Sequence, residues 1–199
     1  MTTTSPFRAG IAALVFASSL LAGCDEAAKF RGTDITGVEY GRSFALSDHK
    51  GVPRTLEDFR GKVVVLFFGY VYCPDVCPTT LAELAQVIQA LGPDGERVQV
   101  LFITLDPERD TAELLGQYVA AFDPRFIALR GDVEATRRVA AEFKIFYEKR
   151  AGATPDSYSV DHSAQAYVID PAGRLRLFVR HNRMAGDLPD DIRLLLRGR

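Results

Sequence analysis

Val63-Val64-Val65-Leu66-Phe67-Phe68-Gly69-Tyr70-Val71-Tyr72 runs directly into Cys73-Pro74-Asp75-Val76-Cys77-Pro78. An apolar run with no polar alternation marks a strand covered on both faces. After the cysteines, Leu81, Leu84, Ile88 and Leu91 recur at helical period. A buried strand therefore delivers two thiols to the mouth of a helix. There the unpaired backbone N–H groups and the helix dipole favour anions, so a thiolate is stabilised. Pro78 suits the first helical position and pushes Cys77 out of helical φ/ψ, so Cys77 is expected at the N-cap with Cys73 just outside.

The rest of the chain extends this unit. Phe44 to Gly51 alternates and then turns, as a hairpin at a domain edge does. Val98 to Leu105 reads as a second buried strand, and Phe126 to Leu129 as a third. Helical faces lie between them, at Leu114, Leu115, Tyr118, Val119 and Phe122, and at Val133, Val139, Ala140 and Phe143. Ala164 to Ile169 and Leu175 to Val179 flank the turn Asp170-Pro171-Ala172-Gly173, and a last helix is expected from about Pro189 to Leu196. The order β-α-β-α-β-α-β-β-α predicts an α/β fold: a central mixed sheet flanked by helices, with an N-terminal hairpin extension. A cysteine pair between a strand and a helix inside such a unit is the thioredoxin-like arrangement.

The chain has 199 residues, 47% hydrophobic and 25% charged, with a net charge of −2. Those values suit one globular domain and give no basic surface for nucleic acid. The N-terminus departs from this average. Arg8 is the only charged side chain before Asp25, and Ala9 to Gly23 is apolar or small. Fifteen residues span about 22 Å as a helix, short of a roughly 30 Å bilayer core, so a secretory signal is expected rather than a membrane span. Leu21-Ala22-Gly23-Cys24 resembles the lipobox of bacterial lipoproteins. That reading gives a signal peptide over 1–23, a lipidated Cys24 with a tether over 24–36, and a folded domain over 37–199. It places the chain in the bacterial cell envelope, lipid-anchored to the cytoplasmic membrane and facing the periplasm. Of the three cysteines, only Cys73 and Cys77 are then free thiols, in a compartment where disulfides persist.

One stretch does not fit a compact αβ connection. From Tyr147 to Asp161 there is no periodicity, and the segment is far longer than the usual 2–6 residues. It delivers His162 to the start of a core strand. Two soft thiolates and a neutral imidazole suit copper(I), or zinc, although structural zinc sites take four protein ligands and no further free cysteine completes such a set. On spacing alone His162 reads better as a histidine satisfied at a strand start than as a ligand.

Three stretches together resemble the Sco/SenC family of copper-binding assembly proteins. They are Phe67 to Pro78, the run Thr104-Leu105-Asp106-Pro107-Glu108-Arg109-Asp110-Thr111, and Val160-Asp161-His162-Ser163 leading into Tyr167-Val168-Ile169-Asp170-Pro171. The resemblance covers roughly residues 36–198. It implies a thioredoxin-like fold, copper ligation by Cys73, Cys77 and His162, and a metallochaperone rather than an enzyme. It further implies help in assembling the binuclear copper site of cytochrome c oxidase subunit II, with a periplasmic copper donor and a thiol reductant as further partners. Tyr72 stands before the first cysteine where many relatives have histidine, and a lipobox replaces the more usual transmembrane anchor.

Other residues bear on the same chemistry. Asp75, Asp106, Asp110 and Asp161 are candidates to support the ligands or meet a partner. Against that, Asp110 is expected to cap the following helix and Asp106 to end its strand. His49 is expected on the solvated surface, and His181 and Met184 as a strand-end histidine and a packing methionine. The competing function is an extracytoplasmic thiol–disulfide oxidoreductase, or a redox or copper sensor, using the Cys73–Cys77 pair. Thioredoxin-type oxidoreductases carry a cis-proline directly before the strand after the long connection. Here that position reads Val160-Asp161-His162-Ser163, which favours metal binding.

Overall fold

The central strands are the apolar runs, and their burial on both faces sets the architecture. The computed structural model of the chain describes residues 1–2, 29–153 and 157–199. Cys24 and nearly all of the expected signal segment lie outside the described residues. Strands β1 (Thr33–Asp34), β2 (Ala45–Asp48), β3 (Pro53–Thr55), β4 (Val63–Gly69), β5 (Val98–Thr104) and β6 (Ile127–Arg130) precede β7 (Tyr147–Ala151), β8 (Tyr158–His162), β9 (Gln165–Ile169) and β10 (Leu175–Arg180). The helices are α1 (Val76–Leu91), α2 (Ala112–Ala120), α3 (Val133–Glu142) and α4 (Met184–Leu196).

Eight strands form one sheet in the order β1-β10-β9-β4-β5-β6-β2-β3. β4, β5 and β6 are parallel, while β9, β10, β1, β2 and β3 add antiparallel flanks. β4 and β5 are buried over their whole length, as strands covered on both faces must be. The register Gly69↔Thr104 brings the C-terminal ends of these two strands level. The cysteine loop and the Asp106–Asp110 loop therefore leave the sheet side by side. This is the crevice at the carboxyl ends of parallel strands where α/β proteins hold ligands. The expected mixed α/β sheet with an N-terminal hairpin is what the chain forms.

Four local readings change. α1 starts at Val76 with Asp75 as the N-cap, so Cys77 lies in the first turn and Pro78 one position further in. Helix α2 is capped by Thr111, whose side chain accepts the Leu114 N–H, and not by Asp110. α4 begins at Met184, and Pro189 lies inside it. The segment expected as tether is docked from Arg31 onward: the Asp191 carboxylate accepts the N–H groups of Arg31 and Gly32 at 2.9 and 2.8 Å, and Thr33–Asp34 pair with β10.

The long connection is also more ordered than its sequence suggests. β7 and β8 pair antiparallel with each other, from Tyr147↔His162 to Ala151↔Tyr158, as a hairpin that stands apart from the main sheet. Its strands are largely exposed, with Val160 the buried exception. Without a covered face there is no alternation to read.

Candidate metal centre

Two loops and the hairpin meet above the end of β4. Cys77 is fully buried, and its Sγ lies 3.6 Å from His162 Nε2. At bond lengths of about 2.3 Å to sulfur and 2.0 Å to nitrogen, donors subtending 110–120° at one metal stand about 3.5–3.7 Å apart. The pair is therefore spaced as two ligands of one ion are. The other ring nitrogen of His162, Nδ1, is 3.0 Å from the Val160 carbonyl. That contact fixes Nδ1 as the donor and leaves the Nε2 lone pair free towards the thiols. Tyr70, buried behind the imidazole, meets it edge-on with ring centroids 5.8 Å apart.

Cys73 lies one turn before Cys77, just outside α1. Its Sγ accepts the Cys77 backbone N–H at 3.4 Å, so the sulfur does the capping that the Asp75 side chain does not. This explains why α1 begins before Pro78: a thiolate satisfies one of the orphan N–H groups of the first turn. The Cys77 thiol donating to it, backed by the N–H groups of Asp75 and Cys77 and by His162, holds the Cys73 thiol down at about 5 against its burial. The same hydrogen bond, together with deep burial, pushes Cys77 up. One proton is thus shared unequally by a half-exposed sulfur and a buried one. Among the described residues no three His, Cys, Asp or Glu side chains are already closed into a cage for an ion; Cys73 is engaged with the helix instead.

The four carboxylates separate into two kinds. Asp75 and Asp161 are exposed; Asp161 pairs with Arg150 at 3.0 Å on the hairpin. Asp106 and Asp110 are completely buried. Asp110 accepts the Thr104 hydroxyl at 2.5 Å and the Val71 N–H at 3.1 Å, which ties the cysteine loop to β5. Its other oxygen has no partner, and burial raises its carboxyl to about 6. Asp106 accepts from Arg109 Nε at 2.5 Å and from the Tyr158 hydroxyl at 2.7 Å.

Two weighed residues sit differently from expectation or apart from the site. His49 is half-buried and accepts the Ala128 N–H at 3.3 Å, so it closes β6 and is not a solvated side chain. Met184 is buried in α4, as a packing methionine should be. Sequence reasoning missed Tyr70 and Gly69. A Cβ on Gly69 would stand 2.6 Å from Cys77 Sγ and 2.9 Å from Phe102 Cε2, so this glycine makes the space the thiol occupies. The only sequence signal was a glycine interrupting a strand run.

Comparison with known proteins places this arrangement. The model of the SCO1/SenC family matches residues 33–197. The mitochondrial SCO2 homologue of Mus musculus is 38% identical over 152 residues, covering 75% of this chain and 60% of that protein. The chain thus spans well under two thirds of the curated relatives it matches first. Among solved structures, apo Sco1 from Thermus thermophilus is 41% identical with a TM-score of 0.76, covering 84% of this chain and 98% of that one. ScoI of Bradyrhizobium japonicum, with copper bound, is 35% identical with a TM-score of 0.72, covering 77% and 98%. The fold is that of the thioredoxin-like Sco proteins, and the chain belongs to the SCO1/SenC family.

Proposed function

We propose that this chain is a copper metallochaperone that takes one copper ion on Cys73 Sγ, Cys77 Sγ and His162 Nε2. The observation that carries the reading is the 3.6 Å approach of Cys77 Sγ to His162 Nε2 across 85 residues of sequence. Soft thiolates with one imidazole suit copper(I), and the neutral imidazole also accepts copper(II). Solved relatives of the same fold carry copper. The recipient is the binuclear copper site of cytochrome c oxidase subunit II. A periplasmic donor supplies the ion, and a thiol reductant keeps the cysteines reduced. Cys24 carries the lipid that holds the domain at the outer face of the cytoplasmic membrane of a bacterium. Among the described residues no helix is long and apolar enough to cross a membrane.

The ion arrives in the crevice at the half-exposed Cys73 and is completed by the buried Cys77 and His162. Loading displaces the proton shared by the two sulfurs. Oxidation to a Cys73–Cys77 disulfide removes two electrons and the one proton the two sulfurs share, and leaves no thiolate to coordinate. Copper titration of the reduced domain, beside Cys73→Ser and His162→Ala, tests the reading. One equivalent bound by the wild type, with weaker binding in both variants, is expected; unchanged affinity in both would sink the site.

A second reading rests on the asymmetry of the two thiols. A half-exposed, acidified Cys73 beside a buried Cys77 is the layout of an attacking and a resolving thiol. Cys73 thiolate would attack a target disulfide and expel one target thiolate. Cys77, deprotonated, would then attack the mixed disulfide, leaving the target reduced and this pair oxidised. Reduction of the recipient's cysteines without copper would favour that role.

A further inference from the structure

The β7–β8 hairpin carries a ligand of the proposed site yet makes no ladder hydrogen bond to the main sheet. His162 is its last residue, and two residues separate it from Gln165, where β9 begins. The hairpin is held by Val160 in the core, by Tyr147 and Tyr158 packed against it, and by a set of contacts to one loop. The Tyr158 hydroxyl donates to Asp106 Oδ1 at 2.7 Å, and Arg109 Nη1 donates to the Tyr158 carbonyl at 2.9 Å. The guanidinium lies flat on the Tyr158 ring, 3.5 Å from its centroid. Lys149 of β7 pairs with Glu108. Arg109 is itself fixed by Asp106 through Nε, and its charge also faces the rings of Tyr72 and Tyr70 at 5.1 and 5.9 Å.

We infer that Asp106, Arg109 and Tyr158 form a latch that positions His162 against the dithiol, making all three positioning residues for the metal. The inference rests on the proposed copper site. Its physical basis is the mismatch between the hairpin and its anchor. The hairpin is a two-stranded ribbon with little covered surface, which is marginal alone in water. The anchor is a buried carboxylate with both oxygens satisfied and an arginine that bonds it through Nε and the Tyr158 carbonyl through Nη1, which is a charge-assisted joint. Arg109 stands between Tyr158 on the hairpin and Tyr72 beside Cys73, so one side chain sets the distance between the imidazole and the thiol loop. Release of the latch lets the hairpin swing His162 away while Cys73 and Cys77 stay at the mouth of α1. The latched state is a three-donor site and the open state a two-thiolate site, which is a route for handing the ion on.

The test uses Tyr158→Phe, which removes only the hydroxyl, and Asp106→Asn, which removes the charge that grips Arg109. Copper(I) affinity is measured in each variant with and without His162→Ala. Loss of an outer hydrogen-bond partner of a ligand costs about 10–100-fold in affinity, and a loss of about tenfold or more is expected here. On the His162→Ala background the same two changes should cost less than about twofold, because the ligand they position is already gone. Full loss on that background would overturn the latch, since the residues would then act on the thiols or on the fold. Hydrogen exchange in the metal-free chain supplies an independent arm. Amides of Tyr158 to His162 should exchange at least about tenfold faster in both variants, with β4 and β9 unchanged. Unchanged hairpin exchange would also overturn it. A wild-type protein that takes up no copper refutes the proposed function and leaves the exchange result to decide the latch.

Discussion

Cys77 Sγ and Gly69 Cα belong to adjoining elements packed so closely that no side chain fits between them: a Cβ on Gly69 would reach 2.6 Å from the sulfur. The space a side chain at Gly69 would need is filled by the Cys77 sulfur and the edge of the Phe102 ring. The buried sulfur is set by the backbone of β4 as much as by α1.

Gly69→Ala should therefore damage the site before it damages the sheet. Overpacking a filled core costs about 1–3 kcal/mol, and here the atom displaced is a proposed ligand. Thermal unfolding should fall by a few degrees while copper affinity drops sharply. Gly186→Ala is the matched control. It lies in α4 with nothing within 4 Å of an added Cβ, so it should gain up to about 1 kcal/mol and leave copper binding alone. Equal copper affinity in the two variants would contradict the packing argument.

The two thiols should also react at different pH. With Cys73 held at about 5 by the Cys77 thiol, its alkylation rate at pH 6–7 should already be on a plateau, falling only as pH drops through 5. Cys77, buried and pushed up, should stay unmodified across that range. Cys77→Ala removes the largest stabilising contact, so the Cys73 midpoint should rise. Mass spectrometry of the alkylated chain after timed exposure separates the two sites. A midpoint unmoved in the variant would mean that the helix N–H groups alone acidify Cys73.

Particular residues show what the sequence could and could not yield. The β4 and β5 runs are legible because both faces are covered, so every position is apolar. α4 carries the stripe Met184, Leu188, Ile192 and Leu195, all buried, but Pro189 within it masks the true start. β7 and β8 are opaque because only Val160 is buried, so exposure leaves no period to detect. The proposed ligand set comes from the resemblance of three separated motifs and not from spacing, because nothing local encodes a contact across 85 positions. Asp106 and Asp110 were visible as charges, but their partners come from other elements: Tyr158 of the hairpin for Asp106, and Thr104 and Val71 for Asp110. Thr111 outcompeted Asp110 as the α2 cap because Asp110 turns inward to Thr104 and Val71.

Asp110 makes stability depend on pH in a direction opposite to that of most carboxylates. Burial raises it from 3.8 to about 6, so the folded chain binds the proton more tightly than the unfolded chain. Its stabilising contribution is complete below pH 3.8 and is lost as pH rises through 6. The loss is on the order of 2–3 kcal/mol at 1.36 kcal/mol per pKa unit. Asp110→Asn keeps an acceptor for Thr104 and Val71 without the charge. It should be more stable than the wild type at pH 7.5 and lose that advantage near pH 4, as urea unfolding at both pH values would show. An advantage of the same size at both would rule out the carboxyl proton as its source.

The last prediction concerns how α3 hands the chain to the hairpin. Lys144 has a φ of 54°, a left-handed conformation unusual for a residue with a Cβ. It follows Phe143 at the helix end, and its N–H donates to the Ala141 carbonyl while the Ile145 N–H donates to the Ala140 carbonyl at 2.8 Å. This is the Schellman ending, whose left-handed position glycine normally occupies. The buried Ile145 packs as the motif requires and fixes the direction in which β7 departs. Lysine contributes favourable charge at a helix C-terminus, worth roughly 0.3–1 kcal/mol at an exposed site. Left-handed strain at a residue with a Cβ costs about 1–2 kcal/mol. Lys144→Gly should therefore stabilise the fold by about 0.5–1 kcal/mol in chemical denaturation at moderate salt, with copper affinity unchanged. Lys144→Val, which adds branching at the strained position, should lose more than 1 kcal/mol and loosen the hairpin. If both substitutions left stability alone, the turn between α3 and β7 would not be the rigid entry to the hairpin that the hydrogen bonds describe.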